Sequence, residues 1–312
     1  MKWKILLTDG LSPISDQDLL AAVELDDRKG ISAEELMEVI GNYDAVIVRG
    51  RTKITSDVLA AAEGMKVVGR MGVGVDNIDL EAAKERGVTV VNAPVATTVT
   101  VAELTLGLMI SLIREIPKAD CGMKAGDWLK KELVGTELYQ KTLGVIGYGN
   151  IGSEVGNRAL AFDMRVIAYD PGLSSDQISA KGAEPVSFEE LLQQSDIITM
   201  HIPHTKATHY ILNAERFAMM KDGVHIICAA RGGVIEEAAL MDALDSGKVA
   251  GAALDVFETE PPGDAPMPSH PKVIATPHIG AQTKEAQLRA GHDIVSEVVA
   301  ALDEKPLRWK VA

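Results

Sequence analysis

The sequence predicts an α/β protein made of two parallel-sheet domains. Three observations carry that expectation. Short β-branched runs alternate with helical stretches along nearly all of the 312 residues. The alternation is interrupted once by a long helical pattern and then restarts. The length also suits two domains of roughly 100 to 200 residues each. Hydrophobic residues make up 46% and charged residues 24%, close to the globular average, which sets aside collagen-like, disordered and disulfide-scaffold chains.

In the first third, strands are expected at residues 4–8, 45–49, 66–70 and 88–92, separated by helices near 16–29, 33–40, 56–62 and 80–86. The acidic run at 24–27 reads as the solvated end of the first helix. A long helical pattern then runs from about residue 98 to 116 and is expected to stop at Pro117, which lacks the N–H a continuing helix uses. From Thr142 strands return in the segments TLGVIG, RVIAYD, IITM, VHIICAA and VAGAALDV, with one more at 273–276 after the turn-rich ETEPPGDAPMPSHP. The last helix, about 283–303, has no strand after it and is expected to dock back on the first body.

Lys and Arg total 31 against 45 for Asp and Glu, a net charge of −14. That sign repels phosphate backbones and anionic lipid, so neither nucleic acid nor a membrane is expected as a partner. An anionic metabolite fits only if a few basic residues converge locally. The two cysteines, Cys121 and Cys228, lack metal-ligand spacing and any nucleophile context. They read as buried, inert thiols in a reducing compartment. The start MKWKILLTDG has an apolar run of only Ile5 to Leu7, short of the roughly 7 to 15 residues of a signal peptide. Glu103 interrupts the most apolar stretch, so no run reaches the about 18 residues of a membrane span. A cytoplasmic location is expected. The histidines outside TPHIG show no metal pattern, and no metal is expected. His201, ending IITM, reads as structural with a cofactor contact as the alternative.

Gly147, Gly149 and Gly152 form G-x-G-x-x-G, with Tyr148, Asn150 and Ile151 between them, at the end of a strand and the start of a helix. In this context the first glycine makes the tight turn, the second lets backbone N–H groups approach a pyrophosphate, and the third lets helix and strand pack. The next strand ends in Asp170, 18 residues beyond Gly152, where a carboxylate accepts from adenosine ribose hydroxyls. No Arg or Lys follows until Lys181, so NAD is expected rather than NADP. A glycine-rich turn and a strand-end acid would be the bland alternatives.

Hydride exchange between nicotinamide and a 2-hydroxy or 2-oxo acid needs a proton shuttle and a cation for the carboxylate. Arg231 in CAARGGVI, Glu260 in FETEPP and His278 in TPHIG stand at carboxyl ends of expected strands, where α/β sites are built. Singly, each has a structural explanation as a strand cap, a solvated loop acid or a residue before a helix. The ordered set GYGNIG, Tyr169-Asp170-Pro171, ARGG, ALDVFETEPP and TPHIGAQTKEA resembles the D-isomer-specific 2-hydroxyacid dehydrogenases over essentially the full chain. The resemblance implies Arg231, Glu260 and His278 as the catalytic set. It places Asp255 in the nicotinamide pocket and Ala229 and Gly280 against the cofactor. His278 would exchange the hydroxyl proton, Glu260 would favour the charged imidazole, and Arg231 would hold the carboxylate.

Segments such as IVRGRTKIT, VGRMGVGVDNIDL and DWLKKELVGTEL are most similar to family members acting on D-3-phosphoglycerate. By that resemblance Arg49 and Arg70 face a substrate phosphate, Val73 and Gly74 with Asn77 line the carboxylate side, and Lys130 or Lys131 reaches across from a partner subunit. Strand capping is the alternative for the two arginines. The chain departs from the pattern at Cys228, at Thr97-Thr98, at Gly50-Arg51 and at the Lys after Trp128, so glyoxylate or hydroxypyruvate reduction and a lactate-type activity stay open. Ending at Ala312, the chain is expected to lack a C-terminal regulatory domain and feedback by serine. The resemblance also implies a homodimer built through residues 118–138. A function of another class, an NAD-sensing corepressor-like binding protein, shares the fold. The architecture expected is two Rossmann-like or flavodoxin-like domains with a cleft between them. They are a discontinuous substrate domain (1–96 completed by 284–312) and an NAD-binding domain (97–283).

Overall fold

The structure is a computed structural model that describes residues 2–11 and 16–312. It divides into two compact units, Met1–Thr97 with Ala281–Ala312, and Thr98–Gly280. In the first, β1 (Trp3–Leu7), α1 (Gln17–Ala22), β2 (Val23–Asp27), α2 (Ala33–Val39), β3 (Ala45–Val48), α3 (Ser56–Ala61), β4 (Val67–Arg70), α4 (Leu80–Glu85) and β5 (Thr89–Asn92) follow in order. The sheet runs β2-β1-β3-β4-β5, all parallel, which is the flavodoxin-like order. Every residue of β3 is buried because helices cover both faces, so its sequence AVIV is a continuous apolar run. Helix starts are marked by side-chain caps at Ser32, Thr55 and Asp79.

The expected helix at 16–29 is wrong in its second half. Val23-Glu24-Leu25 alternates apolar and polar, the period of a strand, and pairs with β1 as the sheet edge. The acids at 24–27 therefore decorate an edge strand, where charge discourages pairing with another chain. Asp26 accepts from the Tyr43 hydroxyl and pairs with Arg28 at 2.9 Å, and these two contacts hold its carboxyl below the usual range.

The second unit starts with α5 (Thr98–Ile113) and α6 (Ile116–Ala125), then β6 (Thr142–Ile146), α7 (Asn150–Leu160), β7 (Arg165–Tyr169), α8 (Ser175–Ala180) and β8 (Glu184–Pro185). It continues with α9 (Phe188–Gln194), β9 (Ile197–Met200), α10 (Ala214–Met219), β10 (Val224–Cys228), α11 (Glu237–Asp245), β11 (Val249–Leu254) and β12 (Val273–Ala275). The parallel sheet reads β12-β11-β10-β9-β6-β7-β8, so chain order reverses between β6 and β9. That reversal is the doubly wound dinucleotide-binding arrangement, and ligands of such sheets sit at the carboxyl ends of the strands there. The helix expected to reach residue 116 ends at Ile113, and Pro117 lies in the first turn of α6. Proline is tolerated there because the first-turn N–H groups have no intrahelical partner.

Helix α12 (Lys284–Leu302) returns to the first unit and covers one face of its sheet. Gly69 in β4 permits that packing: a Cβ there would lie 2.6 Å from Val298 Cγ2. Among the described residues no helix is long and apolar enough to cross a membrane.

Candidate active site

The glycine turn is shaped by sterics. Gly147 has φ +87°, and a Cβ on it would stand 2.6 Å from the His201 carbonyl oxygen. A Cβ on Gly152 would meet the Gly147 oxygen at 2.0 Å, so α7 can pack on the turn only without a side chain there. Gly149, which caps α7 without a side-chain hydrogen bond, has nothing within 4 Å of where a Cβ would be. The helix N-terminus thus presents free N–H groups to an open space, as a pyrophosphate requires. Asp170 is fixed beside it, its two oxygens accepting from the Tyr148 N–H at 2.8 Å and the Gly172 N–H at 2.9 Å. These residues fit a bound NAD. Asn150 and Ile151 form the first turn of α7. The Tyr148 ring instead points inward, and burial pushes its phenol up to about 12.

At the neighbouring strand end, burial drives the His201 imidazole down to about 3, so it stays neutral. Its Nε2 lies 3.1 Å from Thr199 Oγ1, while Nδ1 is buried with no partner among the described residues.

Arg231 and Ala229 lie just beyond β10. Gly232 must lack a side chain, since a Cβ would fall 1.8 Å from the Phe257 carbonyl oxygen on the loop after β11. That contact seats the Arg231 loop on the segment carrying Glu260. Glu260 Oε2 meets His278 Nδ1 at 2.7 Å, and Oε1 accepts from the Phe257 N–H at 3.2 Å. Burial alone would raise the Glu260 carboxyl. The hydrogen bond and charge of His278, the Phe257 N–H and the charge of Arg231 outweigh it, and the group ends below its ordinary value. The three residues named from sequence are therefore coupled: Arg231 and His278 act on the same ionised carboxylate. The pair borders an open hollow of about 450 Å³ walled by Phe257, Pro261, Pro262, Pro268 and Pro277.

Asp255 does something its sequence reading did not contain. Buried at the end of β11, its Oδ1 accepts from Thr276 Oγ1 at 2.5 Å and from the Ile279 N–H at 2.8 Å, and Oδ2 accepts from the Gly280 N–H at 2.8 Å. The carboxylate brackets His278 from both sides along the chain. His278 itself sits at φ 52°, an uncommon left-handed conformation that persists only where the surroundings enforce it.

The residues expected on the substrate side belong to the first unit. Arg70 ends β4 opposite Val48, so Arg49 and Arg70 emerge from adjacent strand ends. Asn77 donates to the carbonyls of Arg49 at 2.8 Å and Thr52 at 2.6 Å, which ties the loop 71–79 to the Arg49 loop. Val73 and Gly74 lie on that same loop, and the Val73 carbonyl accepts from Asn92 at 2.7 Å. Arg51, one of the departures from the family pattern, is structural: it pairs with Asp9 at 3.0 Å and donates to the Thr8 and Ile31 carbonyls.

Cys228 is buried, and burial pushes its thiol up to about 11. Cys121, expected to be buried, is exposed on α6. A disulfide-exchange reagent is expected to titrate one thiol in the folded chain and two after unfolding. Two fast thiols in the native protein would contradict this burial.

Residues 106–280 match the family described as D-isomer specific 2-hydroxyacid dehydrogenase, NAD binding domain. The chain belongs to that family. Among the relatives of this chain, a D-3-phosphoglycerate dehydrogenase of Methanocaldococcus jannaschii is 48% identical over 310 residues, covering 99% of this chain and 58% of that protein. A hydroxypyruvate reductase of Thermotoga maritima is 44% identical over 305 residues, covering 96% of this chain and 99% of the relative. In three dimensions the chain matches a D-lactate dehydrogenase of Aquifex aeolicus, solved with NAD and lactic acid, at TM-score 0.85 and 32% identity over 96% of each chain. The chain spans somewhat under two thirds of the length of the phosphoglycerate dehydrogenases it matches.

Proposed function

We propose that the chain catalyses NAD-dependent interconversion of D-3-phosphoglycerate and 3-phosphohydroxypyruvate, in serine biosynthesis. The observation that carries the chemistry is His278 Nδ1 held on an ionised Glu260 that also feels Arg231. With Nδ1 engaged, Nε2 is the nitrogen left to exchange a proton with the substrate oxygen at C2. Bound NAD supplies the hydride acceptor in one direction and the donor in the other. In oxidation the hydroxyl proton passes to His278 as the hydride leaves C2; in reduction His278 returns it. Arg231 binds the carboxylate and steadies negative charge on the C2 oxygen, a fork geometry that suits carboxylates.

Identity of 44 to 48% to proteins named D-3-phosphoglycerate dehydrogenase supports this substrate. Arg49 and Arg70, on adjacent strand ends, are proposed to hold the phosphate, and Val73, Gly74 and Asn77 the carboxylate side. Arg70→Met is expected to lower kcat/KM for 3-phosphohydroxypyruvate by at least about tenfold, the scale of one charge-assisted hydrogen bond, and to leave hydroxypyruvate much less affected. Equal wild-type efficiency with both compounds would instead favour hydroxypyruvate reduction, the activity named for the Thermotoga relative.

The proposed working form is a cytoplasmic homodimer. Residues 116–139 expose Ile116, Met123, Trp128, Val134 and Tyr139, with Trp128 73% and Val134 82% accessible. Isolated apolar side chains are ordinary on a surface, but a run of this density suits burial against a second copy. Light scattering should give a dimer mass for the wild type and a monomer mass for Trp128→Asp/Val134→Asp. A monomeric wild type would end the proposal.

A further inference from the structure

A second charged group flanks the glycine turn besides Asp170. Lys181 caps the end of α8, and its Nζ lies 3.3 Å from the Tyr148 carbonyl oxygen. The N–H of that same residue donates to Asp170 Oδ2 at 2.8 Å. Carboxylate and ammonium thus engage the two ends of one residue in the turn. The arrangement is locked from below, because the buried Tyr148 hydroxyl donates to the Lys181 carbonyl at 3.1 Å. Lys181 is only partly exposed, and no carboxylate pairs with its ammonium among the described residues.

An ammonium held on a carbonyl with no carboxylate partner, beside the ribose-binding acid, bears on one chemical distinction, the phosphate that NADP carries on its adenosine ribose. Asp170 accepts ribose hydroxyls and repels that phosphate, whereas a flexible Lys stem can swing a compact cation toward it. We propose that Lys181 is a cation for the 2′-phosphate set against Asp170, so that one acid–amine pair straddling Tyr148 fixes the ratio of NADP to NAD binding. In the wild type the hydrogen-bonded, preoriented Asp170 dominates and NAD is preferred. Along the chain the two groups are separated by α8, and its end brings Lys181 back to the glycine turn. The inference rests on assigning the turn to a dinucleotide and is independent of which oxo acid is reduced.

The test is calorimetric binding of NADH, NADPH, ADP and 2′,5′-ADP to the full chain without substrate. The variants are Asp170→Ser, Lys181→Gln, Lys181→Arg and the double Asp170→Ser/Lys181→Gln. Asp170→Ser should shift the NADPH-to-NADH affinity ratio toward NADPH by at least about tenfold, as expected for one charge-assisted contact released from repulsion. Adding Lys181→Gln should remove most of that shift, Lys181→Arg should keep it, and 2′,5′-ADP relative to ADP should follow the same order. Gln retains a donor for the Tyr148 carbonyl, so a purely structural Lys181 would change both affinities by one common factor. An unchanged ratio in Lys181→Gln, or a double variant that keeps the full gain, would overturn the proposal.

Discussion

His278→Ala is expected to lower turnover by about 10²- to 10⁴-fold, the range supplied by a positioned acid–base group, while NADH affinity stays close to wild type. The reason is spatial separation of roles. The turn at 147–152 and Asp170 hold their geometry through their own glycines and backbone hydrogen bonds, and none of these involves the imidazole. On the proposed mechanism the variant loses the ring nitrogen that exchanges the substrate proton, together with a partner whose hydrogen bond and charge help hold the Glu260 carboxyl below its ordinary value. Glu260→Gln should give a smaller loss, because the hydrogen bond to Nδ1 can survive without the charge. Single-turnover NADH oxidation and calorimetry on the same samples read the two effects separately. Undiminished turnover in His278→Ala would remove the histidine from the chemistry.

Asp255→Leu is expected to cost both stability and rate. Three donors now meet one buried carboxylate: the Thr276 hydroxyl and the Ile279 and Gly280 N–H groups. Leucine leaves them without an acceptor, at about 1–3 kcal/mol for each that stays buried and unpaired. The loop can open to water to recover part of this, and opening releases His278 from its left-handed conformation. Either route damages the site: a loop that stays closed is destabilised, and one that opens misplaces the imidazole. Asp255→Asn discriminates further, since its oxygen can serve one side while its amide faces a donor on the other. Urea unfolding should rank wild type above Asn above Leu, and kcat should fall in the same order. A Leu variant with wild-type stability and kcat would show that the bracket does not hold the loop.

Much of this was readable from the chain because it is local. The glycine spacing and the apolar runs of buried parallel strands each depend on residues a few positions apart. Arg231, Glu260 and His278 became legible only as an ordered set, through the family pattern. The acidic strand β2 was hidden because Glu24, Asp26 and Asp27 have low strand propensity and edge position overrode it. The two-residue β8 is too short to leave a pattern. Asp255 and Lys181 show what local reading misses. Their partners lie far along the chain, and only the return of the strands brings the Thr276–Gly280 turn to one and the Tyr148 carbonyl to the other.

The most direct measurement is NADH consumption by the wild-type chain with 3-phosphohydroxypyruvate, hydroxypyruvate, glyoxylate and pyruvate in turn, with NADH binding measured alongside. Sustained oxidation with at least one of these acids, fastest with the phosphorylated one and giving the D-hydroxy product, is the predicted result. Tight NADH binding with no consumption in the presence of any of them would contradict it and leave a nucleotide-sensing protein in its place.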